Sequence, residues 1–423
     1  MLLQFSVENF MSFKEKAILS LEPSKDKEHP ENVNKKGDYK GVNVVATYGA
    51  NASGKTNFFN AITFALVMIR NSNTRQVNEP LPITPFKFST ESALKPSKIE
   101  FQFIARDNKK YIYGFTADKH MIYEEYLYRY SSRRPTKIFE RKSDGTYEFT
   151  AREKNALLPL TQWNTPNKFF LATATMWNAQ STKIPLEWLA GGIDTYTDLN
   201  GLTHDAMMGY QGENAEDYIH FTEKIMCEAD INISKIDVKL KKIPINPNIM
   251  PLIPGLIING QLIQPQEQTQ MEVKTYHEVA DKDGNKKKQY SLLLGEESVG
   301  TQLLFTFSPL LKKALDGGKT IIIDEIDKSL HPAVVKYIVN LFRNREINKA
   351  GAQLIITTHN TSLLSLNTFR RDQVYFVEKN RDTAVSRLYS MDEYSVRKGE
   401  NIEKGYLLGR YGAVPEIQGG DII

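Results

Sequence analysis

The chain has 423 residues, a formal net charge of +4, 41% hydrophobic residues and 25% charged residues. That is ordinary globular composition, and so small a positive balance does not by itself imply a nucleic-acid partner. The single cysteine, Cys227, excludes an intrachain disulfide and a cysteine zinc site. No apolar run approaches the ~20 residues that span a bilayer, and the opening residues lack a signal peptide's basic region and cleavage site, so a cytoplasmic protein without a membrane partner is expected.

In chain order, Leu2 to Glu8 alternates as a strand, Asn9 to Phe13 turns, and Ala17 to Leu21 continues as a second strand. Ser24 to Lys40 is polar and charged and reads as a loop. Val42 to Tyr48 reads as a buried strand and Phe58 to Ile69 as an apolar helix. Asn71 to Pro96 is a proline-bearing connection with one short strand near Phe86 to Phe88. An antiparallel meander follows, with strands around Ile99–Phe103, Tyr111–Phe115, Glu124–Tyr130, Thr136–Arg141 and Tyr147–Thr150, and with Asp144-Gly145 as a hairpin turn. Residues 157–192 hold Trp163, Trp177 and Trp188, read as core or inter-lobe packing. Glu216 to Ala229 has helical spacing, and Ile236, Val238 and Leu240 suggest a strand. Residues 243–266 are broken by prolines and carry an apolar patch, Leu252 to Ile258, read as a packed loop or a contact surface. Met271 to Val279 and Gln289 to Leu294 pair as a hairpin around Asp283-Gly284. The basic run Lys286-Lys287-Lys288 reads as a solvated tip, with nucleic-acid contact as the sharper alternative.

Between the buried strand and the apolar helix lies Gly49-Ala50-Asn51-Ala52-Ser53-Gly54-Lys55-Thr56, a full match to the phosphate-loop pattern. Glycines let backbone N–H groups turn toward phosphate oxygens, and a helix N-terminus adds its positive dipole end. The candidate nucleotide contacts are Gly49, Asn51, Ser53, Gly54, Lys55, Thr56 and Asn57. Lys55 is expected to bridge the β- and γ-phosphates of ATP and the Thr56 hydroxyl to ligate Mg²⁺. Thr320 to Ile323 is an apolar strand ending in Asp324-Glu325. Asp324 is expected to hold Mg²⁺ through water and Glu325 to polarise the attacking water. Gln353 to Thr358 is another buried strand, ending at His359, which can sense the γ-phosphate. Gly295 to Thr301 is a small-residue loop opening a helix from Gln302, again an anion-binding geometry. Two chains facing each other could each give this loop to the other's ATP, making two composite sites.

Taken in order, the phosphate loop, Glu297-Ser298-Val299-Gly300-Thr301, Asp324-Glu325 and Thr358-His359 resemble the ABC-type ATPases. The opening Val7-Glu8-Asn9-Phe10-Met11-Ser12-Phe13 is similar to the first strand and turn of the SMC/RecF/OLD-like branch. Asp324 to Pro332 and the tail Lys404 to Pro415 look most like bacterial AAA-labelled ATP-binding proteins of anti-phage and abortive-infection operons. The fold this implies is α/β, an ABC-ATPase-like core (a mixed sheet with a phosphate loop) carrying an antiparallel β meander and an inserted mixed α/β region. The expected division is an N-terminal ATPase lobe over 1–175, an inserted helical and irregular region over 176–285, and a C-terminal ATPase lobe over 286–423.

By the same resemblance, Ser298 and Gly300 would contact the γ-phosphate bound to the opposite subunit, Ser329 to His331 would lie on the dimer seam, and His359 would be the switch histidine. The loop departs from the usual LSGGQ signature, keeping one Ser and one later Gly. Gln102, Gln162 and Gln180 are all candidates for the Q-loop glutamine. The interval before the signature shows no sustained heptads, and the stretch after His359 is too short for an appended Toprim nuclease. The expectation is therefore a Mg²⁺-dependent ATPase that closes as a homodimer or higher homo-oligomer and controls a separate effector, nuclease or toxin-like, in anti-phage defence. The alternative is a RecF-like DNA-binding ATPase, supported by Arg133-Arg134 and the lysine run.

Overall fold

A computed structural model describes residues 1–131, 134–196, 199–229, 233–244, 256–258, 261–263, 267–280, 287–328, 330–397 and 399–415. The strands in chain order are β1 (Leu2–Glu8), β2 (Ala17–Ser20), β3 (Val33–Lys36), β4 (Tyr39–Val42), β5 (Val44–Tyr48), β6 (Ser97–Ile104), β7 (Lys110–Ala117), β8 (Ile122–Tyr130), β9 (Pro135–Arg141) and β10 (Tyr147–Phe149). They continue as β11 (Ile193–Tyr196), β12 (Ile233–Pro244), β13 (Leu256–Ile258), β14 (Gln261–Ile263), β15 (Glu267–Ala280), β16 (Lys287–Leu293), β17 (Thr320–Ile323), β18 (Gln353–Thr357), β19 (Val374–Lys379) and β20 (Ser386–Ser390). No helix among the described residues is long and apolar enough to cross a membrane.

The chain divides into two compact units, Met1–Asp198 with Ala314–Lys328 and Pro332–Ile423, and Leu199–Lys313 with Ser329–His331. The first unit holds two sheets. One has seven strands in the order β10-β9-β8-β7-β6-β1-β2, so the expected meander is continuous with the N-terminal strand. The other has six in the order β11-β17-β18-β5-β19-β20. Its first five strands run parallel, and β20 closes the edge antiparallel to β19. Strands β5, β17 and β18 are buried along their whole length, as short apolar runs in a parallel sheet must be. The helix Lys55–Arg70 follows β5 directly. One core joins Phe5, Phe101 and Phe103 of the first sheet, Phe58, Ile62 and Leu66 of this helix, and Val45, Ile322 and Ile355 of the second sheet. Phe58 meets Phe5 and Phe13 edge-on at 5.4 and 5.5 Å, a geometry aromatic rings prefer.

The tail is anchored by aromatic packing on β5 and β19. Tyr406 stacks on Phe376 at 5.5 Å and meets Tyr48 at 5.9 Å, while Tyr411 lies over Phe376 at 5.9 Å.

Four local expectations are corrected. Residues 24–40 are not all loop, because β3 and β4 pair as a hairpin in which Lys36 faces Tyr39. Gly37 supplies the positive φ, 60°, that so tight a turn needs. No strand forms at Phe86 to Phe88, since the Phe86 N–H donates to the Asn9 side chain at 3.2 Å instead of to a neighbouring strand. Of the tryptophans only Trp188 is core, stacked on Phe103 at 4.0 Å. Trp163 and Trp177 are 55% and 52% exposed and pack on each other at 5.5 Å. The helix expected from Gln302 begins earlier, at Val299.

In the second unit β12, β15 and β16 form an antiparallel sheet, including the hairpin expected between Met271 and Leu294. Of the proline-broken segment, β13 and β14 pair as a short hairpin, while Leu252 to Gly255 and the Asp283-Gly284 turn lie outside the described residues. Tyr210 stacks on Phe305 at 4.9 Å and its hydroxyl donates to the Phe305 carbonyl at 3.0 Å, fixing the helix Leu199–Gln211 to the helix Val299–Gly317.

Candidate functional site

The phosphate loop connects β5 to the helix Lys55–Arg70, the strand-loop-helix context its glycines require. Gly54 caps the helix with φ 113°, a left-handed conformation that favours glycine. A Cβ there would come within 2.7 Å of the Ser12 hydroxyl and would also strike Ser386. Those two serines brace the loop: the Ser386 hydroxyl donates to the Ser53 carbonyl at 2.6 Å, and Asn57 donates to the Ser12 hydroxyl at 2.9 Å. Asn51 is exposed at the loop's crest. The Ser53 hydroxyl is buried and has no partner, an unsatisfied group aimed at none of its neighbours.

Lys55 is buried and its ammonium donates to the Gly49 and Ala50 carbonyls at 2.8 and 3.1 Å. Burial lowers its pKa, opposed by the charges of Asp324, Glu325 and Asp327. The Thr56 hydroxyl donates to Asp324 Oδ2 at 2.7 Å. Strand β18 lies between β5 and β17, and its last residue joins the two ends. The Thr357 hydroxyl donates to Asp324 Oδ1 at 2.5 Å and accepts the Glu325 N–H at 2.6 Å. Glu325 is exposed and has φ 49°. For a residue with a Cβ that conformation costs on the order of 1–3 kcal/mol, and it persists where surrounding bonds over-determine it.

His359 is exposed, and its backbone N–H donates to Asp327 Oδ2 at 2.9 Å. The other Asp327 oxygen is buried without a partner. Partial desolvation, and then the Lys55 charge, hold the His359 ring below the ordinary histidine value of 6.5, so the imidazole is neutral at pH 7. Beside the loop opens a cleft of 830 Å³, lined by Ala50 to Ser53, by Lys379, Arg381 and Arg387, and by Ala413 to Pro415 of the tail.

The structure thus brings Gly49 to Asn57, Asp324, Glu325 and His359 together in the first unit. Ser298 and Gly300 belong to the second unit. There Ser298 precedes the helix Val299–Gly317 and its hydroxyl accepts the Thr301 N–H at 3.1 Å. Glu297 accepts from His277 Nε2 at 2.8 Å and from the Thr275 hydroxyl. Three candidates for the Q-loop separate by position: Gln102 sits in β6 and donates to Glu100, while Gln162 and Gln180 are exposed. Ser329, Arg133 and Lys286 lie outside the described residues.

Thr357, Asp327, Ser12 and Ser386 are not among the candidate site residues read from the sequence, although Ser12, Asp327 and Thr357 lie within the segments singled out there. A polar residue ending an apolar strand two positions before His359 is the one signal that points to Thr357. Ser12 lies in the opening motif that resembles the SMC/RecF/OLD-like branch, while Ser386 carries no signal, because it reaches the loop only through the fold.

Over residues 44–365 the chain matches the protein family described as "AAA domain, putative AbiEii toxin, Type IV TA system". The chain belongs to this family. AAA domains bind and hydrolyse ATP, and the match spans the phosphate loop, the Glu297–Thr301 segment, the acidic strand and His359 of this AAA domain. It agrees with the resemblance to AAA-labelled proteins of abortive-infection operons. Among solved structures the AAA protein is similar to the Smc head bound to the C-winged-helix domain of ScpA, at 14% identity over 92% of this chain and 97% of that one, with TM-score 0.44. It is also similar to an SMC head domain from Thermotoga maritima, at 12% identity over 92% and 98%, with TM-score 0.42. A third is the recombination mediator RecF with ATP, at 15% identity over 92% and 97%, with TM-score 0.33. These likenesses are too distant to carry a functional conclusion. No curated protein sequence matches the chain.

Mg²⁺ is the ion this chemistry implies, and the donor set fits it. Among the described residues no group of three or more His, Cys, Asp or Glu could hold a metal. Mg²⁺ typically takes one or two carboxylates, completing its shell with water and phosphate oxygens. Thr56 and Asp324, already within 2.7 Å of each other, supply that short protein contribution.

Proposed function

We propose that this AAA protein is a Mg²⁺-dependent ATPase that closes as a homodimer on ATP and controls a separate effector protein in anti-phage defence. One observation carries the enzymatic part: Thr357 holds Asp324 by one bond and the Glu325 backbone by another, while Thr56 reaches Asp324 from the phosphate loop. Thr56, Thr357 and the Asp324-Glu325 pair are thereby held in one hydrogen-bonded cluster, which supports reading them as one phosphoryl-transfer site.

On this reading the loop backbone and Lys55 hold the phosphates, Lys55 exchanging its Gly49 and Ala50 carbonyls for phosphate oxygens. Asn51 and Ser53 add side-chain contacts. Thr56 and Asp324 hold Mg²⁺, which when bound neutralises charge on the phosphates. Glu325, exposed and fixed through its backbone, accepts the proton of the attacking water. His359, neutral at pH 7, offers a ring N–H to the γ-phosphate. Ser298 and Gly300 complete the site of a facing copy, so that hydrolysis couples to opening. The effector reading rests on the family, whose description names a toxin-antitoxin system.

The enzymatic part is tested by steady-state ATP hydrolysis with and without Mg²⁺. Turnover should vanish without Mg²⁺ and fall by about 100-fold or more in Glu325→Gln, as loss of a general base commonly does. Turnover unchanged in Glu325→Gln would remove Glu325 from the base role. The effector part is tested by expressing the chain with the protein encoded beside it and scoring phage plaquing, where protection that survives Glu325→Gln would contradict control by hydrolysis.

A further inference from the structure

At the other end of the parallel sheet, around the starts of β17 and β18, lies a cleft of 870 Å³. It is built within the first unit by the stretch after β2 with the β3–β4 hairpin, the Gly318 turn before β17 and the turn before β18, joined by Met1 and Arg370. Gly318 has φ 60°, and a Cβ there would strike the Ala350 carbonyl, so the two turns are packed backbone to backbone. The cleft's charge is one-sided. Lys27, Lys35, Lys36, Lys40, Arg345 and Lys349 all line it. Among the described residues none of these five lysines has a carboxylate at ion-pair distance, and Arg345 spends a guanidinium N–H on the Pro30 carbonyl at 2.5 Å. Of the other groups in the lining, Asp26 pairs with Arg371 at 3.1 Å, Arg370 pairs with Asp372 at 2.6 Å, and the Met1 N-terminal ammonium donates to the Ile104 carbonyl at 3.0 Å.

Five of these six basic side chains are exposed and Lys36 is half-buried, and like charges gathered around a concave surface concentrate counter-ions there. Burial of Lys36 lowers its pKa, against the pull of Asp107. Nothing in the nucleotide chemistry uses these residues, since the candidate phosphate loop and acids sit at the C-terminal ends of β5, β17 and β18.

We propose that this cleft is a second anion site, which takes a compact polyphosphate, either an inorganic chain or the phosphate chain of a nucleotide. The volume lies within the usual range for small-ligand pockets, roughly 300–1,000 Å³. An extended nucleic acid fits less well. Glu28, Asp38 and Glu346 are exposed and adjoin the lining residues Lys27, Lys36 and Arg345 within two positions in sequence, and they would repel a backbone running out of the cleft. The site is independent of the ATPase reading and can hold if that reading fails.

The test uses the full chain carrying Lys55→Ala, which disables the phosphate loop, and titrates it calorimetrically with sodium tripolyphosphate and with ATP. Saturable binding of tripolyphosphate is expected, weakened at least about tenfold when Lys35→Gln, Lys40→Gln and Lys349→Gln are added, as removal of several close charges requires. Equal affinity for the two ligands assigns the source to the phosphate chain alone, and tighter ATP binding assigns it to a nucleotide. With Lys55 intact, the triple variant should hydrolyse ATP at the parental rate in tripolyphosphate-free buffer and keep its melting temperature. The proposal is overturned if Lys55→Ala binds no tripolyphosphate, if the triple variant binds it unchanged, or if a short DNA duplex binds with a steep salt dependence that the same three substitutions abolish while tripolyphosphate fails to compete.

Discussion

The phosphate loop and the Glu297–Thr301 segment are both junctions where a loop opens a helix, but they are held in place differently. The loop is braced from afar: Thr56 meets Asp324 across 268 residues, and Ser386 meets Ser53 across 333. The Glu297–Thr301 segment is tied to near neighbours in its own unit, His277 at 20 residues and Thr275 at 22, with Ser298 bonding inside the first helical turn. The loop is therefore preorganised by the tertiary fold, which is what an electrostatic phosphoryl-transfer site needs. The second junction is built as a local unit.

The contrast can be broken at either end. The largest effect is expected from Lys55→Ala, which should weaken nucleotide binding by about 100-fold or more, measured with a fluorescent ATP analogue, because on the proposed function it removes the cation that would hold the phosphates. Gly54→Ala should come next. It forces a Cβ against Ser12 and Ser386 at φ 113°, and should lower the melting temperature together with ATP affinity. Thr357→Val keeps the shape but leaves Asp324 and the Glu325 N–H each short of a partner. It should cost about 1–3 kcal/mol in denaturant unfolding and reduce turnover without abolishing it. On the other junction, Thr275→Val frees one side of Glu297 and should leave ATP binding to the first unit unchanged while slowing turnover modestly. Equal losses of binding from Thr275→Val and Thr357→Val would erase the distinction drawn between the two junctions.

The smallest effect is the most specific to this electrostatic arrangement. His359 is held below 6.5 partly by the Lys55 charge. Its folded form therefore takes up a proton less readily than the unfolded chain, so its contribution to stability is unaffected above pH 6.5 and turns unfavourable as pH falls below it. Lys55→Ala should raise the His359 pKa toward 6.5, readable by proton NMR of the ring.

The candidate site was legible where chemistry is written in consecutive residues. Gly49 to Thr56 and Asp324-Glu325 carry their roles in residue type and in the buried strands before them, and β5, β17 and β18 follow from unbroken apolar runs. The meander was equally plain, since its strands alternate and its turns are short. What escaped depends on partners distant in sequence. Thr357 and Ser386 acquire meaning only when β18 and β20 are placed beside the loop, and Ser12 only when the turn after β1 meets Asn57. The β3–β4 hairpin was hidden by its charge, because Lys35, Lys36, Asp38 and Lys40 mask a two-residue turn. Phe86 to Phe88 has strand-like residues, but Asn9 takes the N–H that a ladder would need. Trp163 and Trp177 suggest core or inter-lobe packing by residue type alone, yet they are half-exposed and pack on each other.

Sedimentation velocity of Glu325→Gln, with and without ATP and Mg²⁺, tests the central claim most directly. A dimer closed on ATP that cannot hydrolyse it should accumulate as a larger species only when both are present, and Ser298→Arg in the same chain should abolish that species while leaving ATP binding intact. A sedimentation coefficient indifferent to ATP, or one that Ser298→Arg does not change, would contradict the composite site.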